Sequence, residues 1–339
     1  MSEVTPTNTN PTAKSGITLV EAINQALHYA MAEDENVIVL GEDVGKNGGV
    51  FRATVGLQQR FGEERVLETP LAEAMIAGIA IGMAAQGLRP VAEFQFMGFS
   101  YSGIDQIINH AARLRNRSRG RITCPVVYRM PHGGGIRAPE HHSESTEALY
   151  AHIPGLRVVI PSSPARAYGL LLAAIRDPDP VIFLEPTRLY RLVKQNVPDN
   201  GQALPLDKCF ILREGSDVTL VSWGAALHET LQTADTLQEQ GISAEVIDVA
   251  TLKPLDIETI LQSVTKTGRC IIVHEASLTG GIGAEIAALV AEKGLLSLLA
   301  PIHRITGYDI VMPYPKLEKY YIPNVQRITQ AVQQIMEFA

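Results

Sequence analysis

The sequence predicts an α/β protein built on two mostly parallel sheets. Short apolar, β-branched runs such as Val37-Ile38-Val39-Leu40 alternate with segments of helical length. Several of those runs are apolar throughout rather than at every second position, as strands covered on both faces require. A polar, turn-rich stretch at 191–207 separates two such series, so the 339 residues are expected to form two domains, 17–190 and 208–339.

Thr18-Leu19-Val20-Glu21 is a capping box, which starts a helix running to about Met31. The Val37–Leu40 strand ends at Gly41-Glu42-Asp43. Helices are expected near 71–86, 102–116 and 164–176. Strands are expected near 89–94, 125–130, 157–161 and 181–185. Beyond the 191–207 linker the pattern restarts with strands at 218–223, 244–249 and 270–274. The helices expected between and after them lie at 228–240, 257–264 and 283–291. Residues 1–16, rich in Thr, Asn and Pro, read as a frayed tail with neither a secretory core nor a transit-peptide pattern. A cytoplasmic location is therefore expected. The apolar run 71–86 is shorter than the roughly 20 residues a membrane span needs.

Hydrophobic residues make up 46% and charged residues 19%, which excludes a disordered chain. A net charge of -7 argues against a nucleic-acid partner. Cys124, Cys209 and Cys270 lie far apart, so they read as free thiols rather than as a disulfide or zinc framework.

Two places carry possible chemistry. Thr69 is expected to cap the helix after it, with Pro70 in the first helical position and Glu73 in the first turn. The dipole there favours a carboxylate, which is one complete reading of Glu73. The other is that a glutamate at the mouth of an apolar, buried helix is paired or awaits a ligand. Ala74, Gly78 and Gly82 recur every four residues and leave one face flat enough for another backbone to approach, as in a helix contact between subunits. The second place is Glu140-His141-His142-Ser143, after Gly133-Gly134-Gly135. Adjacent residues of an extended loop point apart, so the two histidines do not suit one metal ion. A surface loop histidine and an acid/base catalyst both remain open. Gly280-Gly281-Ile282-Gly283 fails the GxGxxG spacing and reads as a tight strand-to-helix turn.

In order, Leu40–Val44, Glu68–Glu73, Glu93–Phe99, His132–Gly135, Glu140–Ser143, Pro154–Pro161, Ala174–Asp177 and Val181–Glu185 resemble the beta subunits of the decarboxylase component of 2-oxo acid dehydrogenase complexes. The resemblance runs from about residue 17 to the C-terminus. It implies a transketolase-like pyrimidine-binding domain followed by a transketolase C-terminal-like domain. It also implies thiamine diphosphate shared with an alpha subunit. Glu73 would then bond the pyrimidine nitrogen and favour the imino form of the aminopyrimidine. Phe99 would stack on that ring. His142 would be a proton donor or charge stabiliser near the substrate. A structural potassium ion is implied on carbonyls of Val126, Ala174, Ile175, Asp177 and Asp179, with Asp179 standing where asparagine is common.

The family's partners follow the same way. No Gly-Asp dipeptide occurs, so the magnesium-and-diphosphate motif of thiamine enzymes is missing. The alpha subunit is expected to supply it within an α2β2 assembly. A lipoyl-bearing dihydrolipoyl acyltransferase is expected to take the acyl group and to dock on the second domain. Pyruvate is the expected substrate, with branched-chain 2-oxo acids or acetoin as alternatives. A non-catalytic scaffold would need none of Glu73, Phe99 and His142. Transketolase-like sugar chemistry would need the missing motif and a longer chain.

Overall fold

The structure is a computed structural model that describes residues 16–338, so all but the last residue of the expected tail lies outside the described residues. Its first sheet has seven strands, in the order Thr251–Lys253, Arg157–Val159, Val181–Pro186, Val127–His132, Arg89–Glu93, Val37–Gly41 and Val66–Glu68. All pairs are parallel except the one made by Thr251–Lys253, which runs antiparallel to Arg157–Val159. The central strands are buried along their whole length, as continuous apolar runs require. The second sheet orders His303–Gly307, Cys270–Ser277, Val218–Ser222, Ala244–Asp248 and Phe210–Arg213, with only the last antiparallel.

The helix Leu19–Glu33 starts at the expected capping box, with Thr18 and Glu21 bonding each other's backbone N–H groups. Ser163 caps Pro164–Arg176, with proline in the first turn. These two helices pack together over one face of the first sheet, around Ile23, Leu27, Leu170 and Leu171. Another, larger cluster runs from Ile76 and Ala80 through Tyr150 and Leu156 to Trp223, Ile247 and Ile272. A single apolar core therefore joins the two sheets.

Three expectations are corrected. Thr69 does not cap and Pro70 is not helical: the helix spans Glu73–Ala85, with Ala72 as an N-cap that makes no side-chain capping bond. The reason is that the Thr69 N–H donates to the Gly41 carbonyl at 2.9 Å, which keeps Thr69 itself with the sheet and so delays the helix. The same helix is not buried all round; Ile76, Ala77, Ala80 and Ala84 face the core, while Ala74, Ile79 and Gly82 are exposed. The expected helix at 102–116 is instead a 3₁₀ turn over Met97–Gly103, a π turn over Gln106–His110, a second 3₁₀ turn and a short α-helix, Leu114–Arg117. The 191–207 segment is partly structured: Lys194–Gln195 pairs with Ile17–Thr18, and the Leu204 side chain packs over Gly169.

Among the described residues no helix is long and apolar enough to cross a membrane.

Candidate active site at the carboxyl edge of the first sheet

In a parallel sheet the strand carboxyl ends share one edge, where loops from different strands converge. Here that edge gathers Glu42, Glu73, the Phe96–Ser102 turn and the 133–146 loop. Glu73 opens its helix, so the positive end of the helix dipole lies under its carboxylate. Its side-chain partner is Ser102, whose hydroxyl donates to Oε2 at 3.2 Å. Gly103 lies against the Glu73 carbonyl, and a Cβ there would come within 2.9 Å of that oxygen. The close approach needs glycine and fixes Ser102 beside the carboxylate. Glu42 directly follows the strand Val37–Gly41 and is buried, with Oε1 lacking any partner. Burial, and then the nearby charges of Glu73 and Asp43, push its carboxyl above the ordinary range.

Phe96, Phe99 and His142 form an edge-to-face cluster. The His142 ring lies 4.6 Å from Phe96 and 5.1 Å from Phe99, with interplanar angles of 69° and 79°. His142 Nδ1 is buried without a hydrogen-bond partner. The loop is not extended here, as had been expected. Glu140–His142 is a 3₁₀ turn, so His141 also reaches Phe99, at 5.2 Å, while remaining exposed. The structure thus brings Glu73, Phe99 and His142 to one edge.

Beneath that edge three strands are stitched by charge. Buried Arg129 donates from Nε and Nη2 to the two Glu185 oxygens, at 2.6 and 2.9 Å, and from Nη1 to Glu93 at 2.6 Å. Tyr190 adds a bond to Glu185 at 2.6 Å. Behind the loop, His132 meets Glu147 at 3.2 Å, and the Trp223 indole N–H donates to Glu147 at 3.2 Å. His274 stacks on Trp223 at 5.0 Å. Burial works to raise the Glu147 carboxyl, but the His132 bond and the neighbouring imidazoles outweigh it and hold the group below its ordinary value.

Val126, Ala174, Ile175, Asp177 and Asp179 lie away from this edge, around the end of helix Pro164–Arg176. The Asp177 and Asp179 carboxylates pair with Arg157 and Arg115, at 2.9 and 2.6 Å. Ile175 and Val126 each already accept one bond at the carbonyl, from Arg89 at 3.0 Å and from the Val181 N–H at 2.9 Å. Only further carbonyl lone pairs are left there for a cation.

Sequence reading passed over Glu42, Ser102 and the carboxylates Glu275 and Glu318, described below. Glu42 carried a usable signal, an acid directly after a fully apolar strand. The others are brought in by tertiary packing and leave no local pattern.

Two sheets of this topology, with a carboxylate and aromatic cluster at one edge, define a transketolase-like protein. The transketolase pyrimidine-binding domain matches residues 15–193, and the transketolase C-terminal domain matches 207–328. A solved split-gene transketolase, described as an inactive beta4 tetramer, superposes with a TM-score of 0.79 at 25% identity, covering 95% of this chain and 99% of that one. The pyruvate dehydrogenase E1 component subunit beta of Acholeplasma laidlawii is 50% identical, over 94% of this chain and 98% of its own length. The Bacillus subtilis protein of the same name is 49% identical, over 95% and 99%. The 2-oxoisovalerate dehydrogenase subunit beta of Bacillus subtilis is 47% identical, over 96% and 100%. The chain belongs to the beta-subunit family of 2-oxo acid dehydrogenase E1 components.

Proposed function

We propose that this chain is the beta subunit of a pyruvate dehydrogenase that decarboxylates pyruvate on thiamine diphosphate and passes the acetyl group to a lipoyl-bearing acyltransferase. The observation that carries the reading is the meeting of Glu73, Phe99 and His142 at one edge of the first sheet, in a chain half identical to such subunits.

The residues fit half of that cofactor. A pyrimidine ring needs a carboxylate with a free oxygen, an aromatic wall and room for close approach. Glu73 keeps one oxygen clear of the Ser102 bond, and the wall is Phe99 with Phe96. No Gly-Asp-Gly is available for magnesium and diphosphate, so that half falls to an alpha subunit in an α2β2 assembly. When bound, the cofactor supplies the nucleophilic carbon and the electron sink that decarboxylation of a 2-oxo acid requires. Glu73 would hold that ring through a hydrogen bond to its nitrogen, with Phe96 and Phe99 as the apolar wall beside it. His142, with Nδ1 uncommitted, can hold or deliver a proton at that nitrogen. A potassium ion on the carbonyls of Val126, Ala174, Ile175, Asp177 and Asp179 would serve structure rather than chemistry.

The 47% identity to a 2-oxoisovalerate subunit favours one second reading, a branched-chain 2-oxo acid substrate. Co-expression with an alpha subunit, followed by ferricyanide reduction with pyruvate and 3-methyl-2-oxobutanoate in parallel, decides between the two. Glu73→Gln keeps the shape and is expected to lower turnover by a factor on the order of 10² or more. Near-normal decarboxylation by that variant would leave the chain a scaffold.

A further inference from the structure

The loop that carries His142 leaves the strand Val127–His132 and enters the helix Glu147–Ala151, both in the first unit. Its fastenings, however, come from the second unit. Glu275, on the strand Cys270–Ser277, accepts from the Gly134 N–H and from the Ser145 hydroxyl, the latter at 3.0 Å, through the single oxygen Oε1. One carboxylate thereby grips both ends of the loop, whose base is also closed by the Gly133 N–H bonding the Glu144 carbonyl at 2.8 Å. Glu318 Oε1 accepts from the Gly135 N–H at 2.7 Å and the Arg137 N–H at 3.4 Å. Both acids are buried, and Arg188, packed against Gly135 and paired with Glu229, is electrostatically coupled to both.

The backbone between these fastenings is not one the chain adopts freely. Gly133, Gly135 and Arg137 have φ of 84°, 82° and 60°. A left-handed arginine persists only where the surroundings hold it. On its far side the loop presses the His141 carbonyl into Gly98, where a Cβ would not fit. The His142 ring is therefore set between a wall in its own unit and a clamp in the other.

We propose that Glu275 and Glu318 are positioning residues for His142, and that the second unit governs the catalytic edge through them. The inference rests on the reading of His142 as a proton-handling residue. Because both Glu275 bonds fall on one oxygen, glutamine can reproduce them and alanine cannot.

The test uses the reconstituted complex with its alpha subunit. Glu275→Ala is expected to lower kcat about ten- to a hundredfold, the scale of a displaced catalytic group, with KM for the 2-oxo acid unchanged. Glu275→Gln is expected to restore most of it. In a His142→Ala background Glu275→Ala is expected to change kcat no further, since the group it positions is gone. In the isolated chain, amide exchange across 133–146 should quicken in the alanine variant and not in the glutamine variant. Additive losses of kcat would overturn the inference and leave the role of His142 standing. Normal turnover by His142→Ala would overturn both. Should Glu275→Ala fail to fold, Glu318→Ala, which frees only Gly135 and Arg137, is held to the same non-additivity.

Discussion

His274 shows at the scale of one residue how the fold is held together. Its ring is buried between Trp223 and the turn before the helix Ile282–Gly294, where Gly281 and Gly283 leave room for it. Neither ring nitrogen has a partner. Burial is the main cause that drives its pKa from 6.5 down to about 4, against the pull of Glu147. The folded chain keeps this ring neutral over a range where the unfolded chain protonates it. The unfolded state then binds more protons, so stability is full above pH 6.5 and is lost as pH falls toward 4. That loss amounts to about 3 kcal/mol. Asp248, raised from 3.8 to about 6 mainly by burial, works in the opposite sense: its contribution is full below 3.8 and is lost as pH rises through 6. Absolute acid profiles blend the two, so the informative quantity is the difference between variants. His274→Gln is expected to lose less of its urea midpoint than the parent between pH 7 and 4. Parallel profiles would mean that the imidazole is protonated in place or is reached by water.

Elements explain why parts of the fold were legible and parts were not. The helix Leu19–Glu33 was readable because Thr18 and Glu21 make their capping bonds locally. The strand Thr251–Lys253 has three residues, too few for any period, and it crosses into the first sheet rather than staying with the second. The segment 102–116 has helical length, yet it changes winding, and the 3₁₀ turn that leads into it carries Gly98 and Gly103 against the His141 and Glu73 carbonyls. No local pattern carries those two contacts. Edge residues were legible only where a motif named them, as with Glu73, Phe99 and His142. The helix Glu73–Ala85 offers a sharper test. Its Ala74, Ile79 and Gly82 surface is apolar and exposed, and a Cβ at Gly82 would touch nothing within 4 Å. Gly82→Leu should therefore leave the isolated chain at least as stable, since glycine within a helix costs roughly 0.5–1 kcal/mol relative to alanine and leucine is nearly as good a helix former. The same change should abolish assembly if another backbone lies on that stripe, as light scattering of the mixed subunits would show. Unaltered assembly would place the subunit contact elsewhere.

Over the whole molecule, the two sheets are joined by a strand, by buried hydrogen bonds and by a shared apolar cluster. The strand Thr251–Lys253 leaves the second series to pair with Arg157–Val159 of the first. The Glu275 and Glu318 bonds cross between the units, and so does the buried cluster that includes Tyr150, Trp223 and Ile272. Trp223 is the chain's one tryptophan, and it sits in the junction, 3% exposed, bonded to Glu147 of the first unit and stacked on His274 of the second. Its fluorescence therefore reports the docking of the units, whereas far-UV circular dichroism reports their helices and strands. If the junction is as strong as the units it joins, the two signals should follow one urea transition with a common midpoint. An earlier fluorescence transition would mean that the units part before either unfolds. The second unit could then hold the His142 loop only while docked, and loss of turnover in urea should track the fluorescence rather than the dichroism.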